Sequence, residues 1–274
     1  MKKRAWKIVW IVPAVLIAIL LLAFGALQVY VAFEAKKRAD APGNASQYDI
    51  QSLDPHIDSP LTGKTILFLG SSVTEGAAAE GQSFVELFSG MDGVRAIKEA
   101  KSGTTLADQT SFLALIAFGN GQSYVTRLKE IDPEIPVDCV LVQLSTNDAT
   151  LQKELGEIAE GRKLSDFDGK TVTGAMEWII RYSRDIWNCP VVFYTGSYYE
   201  SEAYAAMVRR LYELQDKWDI GVIDLYTDGE FNTIDRDKYA FYMFDEIHPT
   251  KAGYLEWWFP KMERELIAIL DAKE

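Results

Sequence analysis

Apolar residues are distributed along the chain in three regimes. From Ile8 to Leu27 the stretch IVWIVPAVLIAILLLAFGAL carries no charge, and apolar character continues to Phe33 with only Gln28 interrupting. A helix rising ~1.5 Å per residue needs about 20 such residues to cross ~30 Å of hydrocarbon, so residues 8–33 predict a helix that spans a lipid bilayer. Pro13 falls in its first turns, where a kink is tolerated. Residues 39–63, ADAPGNASQYDIQSLDPHIDSPLTG, show neither a helical nor a strand period and are rich in Pro, Gly, Ser, Asp and Asn. They read as a linker. Beyond them, apolar strand-like runs alternate with helical patterns. The strand candidates are TILFLG (65–70), RAIKEA (95–100, the weakest), VDCVLVQLS (137–145), PVVFYTG (190–196) and IGVIDLY (220–226). Several are almost unbroken apolar runs, as expected of strands covered on both faces of a parallel sheet. Helical patterns lie at SFVELFSGM, SYVTRLKEI, TGAMEWIIRYSRDIW, SEAYAAMVRRLYELQDKW and KAGYLEWWFPKMERELIAIL. The alternation predicts an α/β fold with helices on both faces of the sheet.

Open parallel sheets bind ligands outside the carboxyl ends of their strands, and three polar clusters fall at such ends. Gly70-Ser71-Ser72 ends the first strand, Lys101-Ser102-Gly103 follows the second, and Ser145-Thr146-Asn147-Asp148 ends the third. A fourth, Asp245-Glu246-Ile247-His248-Pro249, precedes the last helix. Acyl transfer needs a hydroxyl, a base to take its proton, a group to orient that base, and donors for the developing oxyanion. Ser72 is the candidate nucleophile. His248 is the candidate base, the other of the two histidines, His56, lying in the linker. Asp245, three residues earlier, is placed to orient it. Donors would be the backbone N–H groups of Ser72 and Gly103 and the side-chain amide of Asn147. Taken singly, each cluster has a plainer reading: a strand-ending turn, a helix cap or a turn glycine. Their conjunction, in this order and on one edge of the sheet, favours the chemical reading. Tyr198 and Tyr199 follow the fourth strand, where they would wall an acyl pocket or stack on a sugar. Trp257 and Trp258, in the last helix, read as core.

A chain of 274 residues makes one large domain or two small ones. Lys2, Lys3, Arg4 and Lys7 precede the apolar stretch and Lys36-Lys37-Arg38 end it. Its length, beyond the 7–15 residues of a signal core, favours an uncleaved single-pass anchor with a cytoplasmic amino terminus and an extracytoplasmic catalytic domain; the alternative is secretion after cleavage. Residues 1–38 hold seven Lys/Arg and one Glu, so of 28 basic and 40 acidic residues 21 and 39 lie beyond them, a net of −18. Such a domain is repelled by nucleic acid and by anionic lipid, which removes nucleic-acid partners. Cys139 and Cys189 have no metal-ligand spacing and read as buried thiols.

Over residues 64–270 the chain resembles the SGNH hydrolase superfamily, the GDSL esterases. The family's Gly-Asp-Ser block with its later glycine matches Gly70-Ser71-Ser72 and Gly76, its second-block glycine Gly103, its Gly-x-Asn-Asp block Ser145 to Asp148, and its Asp-x-x-His-Pro block Asp245 to Pro249. Ser71 stands where the family has aspartate, and Ser145 where it has glycine. The resemblance implies a flavodoxin-like three-layer α/β/α sandwich around a five-stranded parallel sheet, so that a hydrolase domain (64–274) follows the membrane anchor (1–38) and linker (39–63) read from the chain. It implies Ser72 as nucleophile, His248 as acid/base, Asp245 as its partner, and an oxyanion hole of Ser72, Gly103 and Asn147, with no cofactor and no metal in the chemistry. The expected substrate is an ester, foremost a small acyl group on a carbohydrate or cell-wall glycan. Alternatives are an acyltransferase to such a glycan, a lysophospholipase or thioesterase, and a silent binding domain.

Overall fold

The structure, a computed structural model, describes residues 2–56, 58–108 and 123–273, with backbone alone for residues 2–12 and 14. Helix α1 (Lys2–Ala39) carries the apolar stretch. Within it Val15–Ala39 has a mean hydropathy of 2.5 over its most apolar window, with none of that window buried, so it is long and apolar enough to cross a membrane.

Five parallel strands form the sheet: β1 (Thr65–Gly70), β2 (Arg95–Ala100), β3 (Cys139–Gln143), β4 (Val191–Tyr194) and β5 (Gly221–Ile223), in the order β2-β1-β3-β4-β5. This is the flavodoxin-like order, with the change of winding direction between β1 and β3. The register sets Ile66 beside Cys139 and Val140 beside Val191. Because side chains alternate along a strand, Leu67, Leu69, Val140, Val142 and Phe193 face one core, and Ile66, Phe68, Leu141, Val192 and Tyr194 the other. The weakest strand of the sequence reading, β2, is one of the sheet's two edge strands, paired among the described residues with β1 alone. One side chain there, Lys98, reaches out to the Glu75 carbonyl and the Glu86 carboxylate, which accounts for a polar sequence in a true strand.

The helices in chain order are α2 (Ser72–Glu75), α3 (Phe84–Gly90), α4 (Tyr124–Leu128), α5 (Thr146–Thr150), α6 (Val172–Trp187), α7 (Glu202–Trp218), α8 (Arg236–Tyr242), α9 (Lys251–Gly253) and α10 (Phe259–Asp271). A π turn, Tyr254–Trp258, joins the last two. It ends two residues before Pro260, whose ring cannot join a regular helical ladder. Helices α4, α6 and α7 cover the first core; α3, the π turn and α10 cover the second. Trp258 is fully buried, whereas Trp257 stacks on Phe231 at 4.7 Å.

The segment read as a linker differs from that reading. Residues Pro42–Asn44, Ser46–Tyr48 and Ile50–Ser52 form three 3-10 turns that lie on the domain, and Asn44 is buried. Hydrogen bonds hold it together with a few scattered apolar contacts, Ile50 and Leu53 on the second core, Leu61 within it and Tyr48 on Phe241, and neither leaves a period in a sequence. Farther along, His56 donates its backbone N–H to Met91 O at 2.7 Å. Its Nδ1 lies 2.9 Å from Asp92 Oδ1 and 3.0 Å from Glu263 Oε1. Both cysteines are free and buried, and burial pushes the Cys189 thiol up to about 11.

Candidate active site

Strand β1 ends at Gly70, where a Cβ would fall 1.7 Å from Thr74 Oγ1 and 2.9 Å from Gln143 Oε1. Only glycine lets the chain turn there at once into α2, and that turn puts Ser72 at the helix start, a residue 8% exposed. Gln143, the one polar residue in β3, supports the turn. Its Oε1 accepts from Ser71 N at 2.9 Å, Thr74 Oγ1 at 2.8 Å and Thr74 N at 3.3 Å. Since Thr74 gives its own proton to Gln143, the Tyr194 hydroxyl donates to Thr74 Oγ1, at 2.7 Å. Buried Arg127 braces the same strand end: Nη2 donates to Gly70 O at 2.7 Å and Thr104 Oγ1 at 3.1 Å, Nη1 to Glu99 O at 2.8 Å and Glu99 Oε1 at 2.9 Å.

On the far side of the site a short hairpin carries Asp245 and His248, closed by an antiparallel bridge between Met243 and Pro249 and by Phe244 N donating to His248 O at 2.9 Å. His248 Nε2 lies 2.8 Å from Ser72 Oγ, and His248 Nδ1 lies 2.9 Å from both Asp245 oxygens. Asp245 Oδ1 also accepts from Ile247 N at 2.9 Å and His248 N at 2.8 Å. Burial opposes ionisation of Asp245, but the hydrogen bond and charge of His248, aided by those two amides, outweigh it and hold the carboxyl below its ordinary value. With Asp245 ionised, Nδ1 is the protonated nitrogen and Nε2 is left to accept from Ser72.

The loop after β2 places Gly103, at φ +78°, beside Thr104, whose carbonyl accepts from Asn147 Nδ2 at 2.8 Å. One amide proton of Asn147 is thus fixed and the other remains to donate. Glu75 ties the loop to α2 by accepting from Ser102 N at 2.8 Å. Ser72 opens α2, so its N–H has no acceptor within the helix. Behind Asn147, the buried Asp148 carboxylate accepts from Leu106 N at 2.8 Å and Ala107 N at 3.1 Å. Burial pushes it up to about 6, against the pull of Ser145 and those amides. Ser71 and Ser145, the two departures from the family pattern, are both fully buried.

Tyr198 and Tyr199 join Asn232, Tyr239, Glu246 and Trp257 around a cavity of about 260 Å³. Glu246 links this cavity to the hairpin, being the residue after Asp245. Tyr198 is the exposed ring, 55% accessible, whereas Tyr199 packs on Tyr204 at 5.1 Å and Tyr226 at 6.1 Å. Sequence reasoning missed Gln143, Arg127 and Glu75. A lone glutamine in an apolar strand was the available signal for the first; nothing local marks the other two.

A solved protein from Lactobacillus plantarum is 18% identical and matches 77% of this chain and 98% of its own, with a TM-score of 0.59. Structures named as GDSL-like lipases from Bacteroides ovatus (18% identical, 75% of this chain and 98% of that one, TM-score 0.54) and Bacteroides uniformis (15%, 75% and 94%, 0.51) share the fold as well. No curated protein matches the sequence. The profile of the GDSL-like Lipase/Acylhydrolase family matches residues 68–255, more than half of the chain. The fold and this match together place the chain in the GDSL-like lipase/acylhydrolase family, serine hydrolases that act on esters.

Proposed function

We propose that the protein is a membrane-anchored, extracytoplasmic esterase in which Ser72, His248 and Asp245 form the catalytic triad, and that it removes small acyl groups from a carbohydrate. The observation that carries this reading is the continuous chain of contacts from Ser72 Oγ through His248 to Asp245 at the carboxyl edge of the sheet. Ser72 Oγ attacks the ester carbonyl while its proton passes to His248 Nε2. The carbonyl oxygen, now an oxyanion, is met by the N–H groups of Ser72 and Gly103 and by Asn147 Nδ2. Collapse breaks the C–O bond to the alcohol, which leaves with the proton from Nε2, and the acyl group stays on Ser72. Water then repeats the sequence and frees the acid.

The cavity beside the hairpin supports a small, polar substrate. The exposed Tyr198 ring offers a face for a sugar, and Asn232 and Glu246 offer hydrogen-bonding groups around it. Hydrolysis of p-nitrophenyl esters from acetate to laurate by the detergent-solubilised chain tests the reading, with Ser72→Ala as control. Ser72-dependent rates that fall steeply with acyl length are expected. A preference for laurate would overturn the small-acyl assignment, and turnover independent of Ser72 would overturn the triad.

A further inference from the structure

The end of α1 and the two catalytic loops meet. The last turn of α1 carries Lys36, Lys37 and Arg38 just past the apolar stretch, where basic side chains that end a span lie among lipid headgroups. Those residues also touch the domain. Lys37 Nζ lies 5.1 Å from the centre of the Phe244 ring, and Arg38 Nη1 donates to Ala77 O at 3.4 Å. Phe244 is the residue before Asp245 and is bonded through its N–H to His248 O; Ala77 donates its N–H to Ser72 O at 2.9 Å. The end of the anchor therefore touches, on each side, a residue that is one backbone hydrogen bond from Ser72 or from His248.

The junction is rigid. Buried Asn44 donates from Nδ2 to Arg38 O and to Ala78 O, each at 2.7 Å, and accepts at Oδ1 from Lys251 N at 2.9 Å. One side chain so joins the anchor, the segment after the nucleophile and the helix after His248. Beside it, a Cβ on Gly43 would lie 2.2 Å from Phe241 O, so the backbones meet there without room for a side chain. Side chains of the span from Val15 to Phe33 stand exposed, so the domain does not lie along the span but begins where it ends, catalytic edge first.

Resting on the esterase reading and on α1 as anchor, we propose that the catalytic centre is held at headgroup level facing the bilayer, and that its substrate is an ester on the polar headgroup of a membrane-anchored amphiphile. The cavity of about 260 Å³ suits a headgroup ester rather than a buried acyl chain. The net −18 of residues 39–274 turns the choice away from anionic headgroups and toward neutral, sugar-like ones.

The full chain in phosphatidylcholine vesicles tests the orientation without reference to activity. A dye is placed on Glu246→Cys at the catalytic edge or on Glu134→Cys in the exposed turn before β3, at the opposite edge, while the buried native thiols stay unlabelled. At ~3.3 Å per residue the strands hold the two edges roughly 15–20 Å apart. Stronger energy transfer to headgroup-labelled lipid from position 246 than from 134 is expected; equal or reversed transfer overturns the orientation. The substrate is tested with umbelliferyl acetate, either free or tethered by a short spacer to phosphatidylethanolamine in the same vesicles. A flexible Gly-Ser insertion after Ala39 should leave the free ester's rate unchanged and lower the tethered ester's rate about tenfold or more. An equal effect on both overturns the substrate assignment. A free ester untouched by the wild type overturns the esterase reading itself, while the energy transfer still judges the orientation.

Discussion

Ser72 and His248 meet at 2.8 Å, yet the two sides of that contact are mounted differently. Ser72 sits on a turn buried between strands, with Gln143 and Arg127 each holding several of its neighbours beneath the surface. His248 and Asp245 sit on an exposed hairpin, their side chains 25% and 48% accessible, held mainly by their own backbone bonds. A nucleophile turn that shares hydrogen bonds with the core cannot shift without straining the sheet. A base on a surface hairpin can adjust during proton transfer at little cost to the fold. Damage to the first mount should therefore register in stability, and damage to the second in rate.

The test with the largest effect removes the contact between the two. Ser72→Ala should lower kcat on the order of a million-fold by loss of the acyl-enzyme route, measured against the best p-nitrophenyl ester; retention of a tenth of the wild-type rate would end the assignment of Ser72. Next, Asp245→Asn should cost roughly 10²- to 10⁴-fold in kcat by disturbing the imidazole tautomer while leaving Tm nearly unchanged. A large drop in Tm would show that the hairpin is as deeply coupled to the core as the turn. Gln143→Leu reverses the pattern. It strips Ser71 N–H and both Thr74 donors of their acceptor in a buried place, so denaturant unfolding should show a loss of about 2–4 kcal/mol. The smallest effect belongs to Asp148. Its folded-state pKa of about 6 lies above the ordinary 3.8, so the folded protein binds the extra proton between those values and stability falls as pH rises from about 4 to 6. Asp148→Asn should flatten that slope in thermal melts collected across the window; an unchanged slope would assign it to other groups.

Much of this fold is legible in the sequence. Four apolar runs became strands because residues covered on both faces must be apolar, while the polar run RAIKEA became the edge strand β2; three polar clusters lie together because parallel strands end on one edge, and the hairpin carries the fourth to them. Arg127 was not legible: its partners Gly70, Glu99 and Thr104 lie more than 20 residues away, and one arginine in an amphipathic pattern reads as surface. Asn44 escaped for the same reason, its partners Ala78 and Lys251 lying far along the chain. Helix α8 is too short and too polar to set up a recognisable period, although its Tyr239 walls the cavity. Distances of contact in sequence, more than the chemistry of the residues, divided what could be read from what could not.

Cys139 sits in β3 within the second core, protonated and fully buried, whereas Cys189, two residues before β4 in the first core, keeps 7% exposure. An alkylating reagent can reach Cys139 only while the sheet itself is open, since that residue belongs to the strand that β1 and β4 flank. The rate at which native protein takes up such a reagent at Cys139 is thus a clock for rare openings of the sheet, readable by peptide mass without a dye, an engineered site or a substrate.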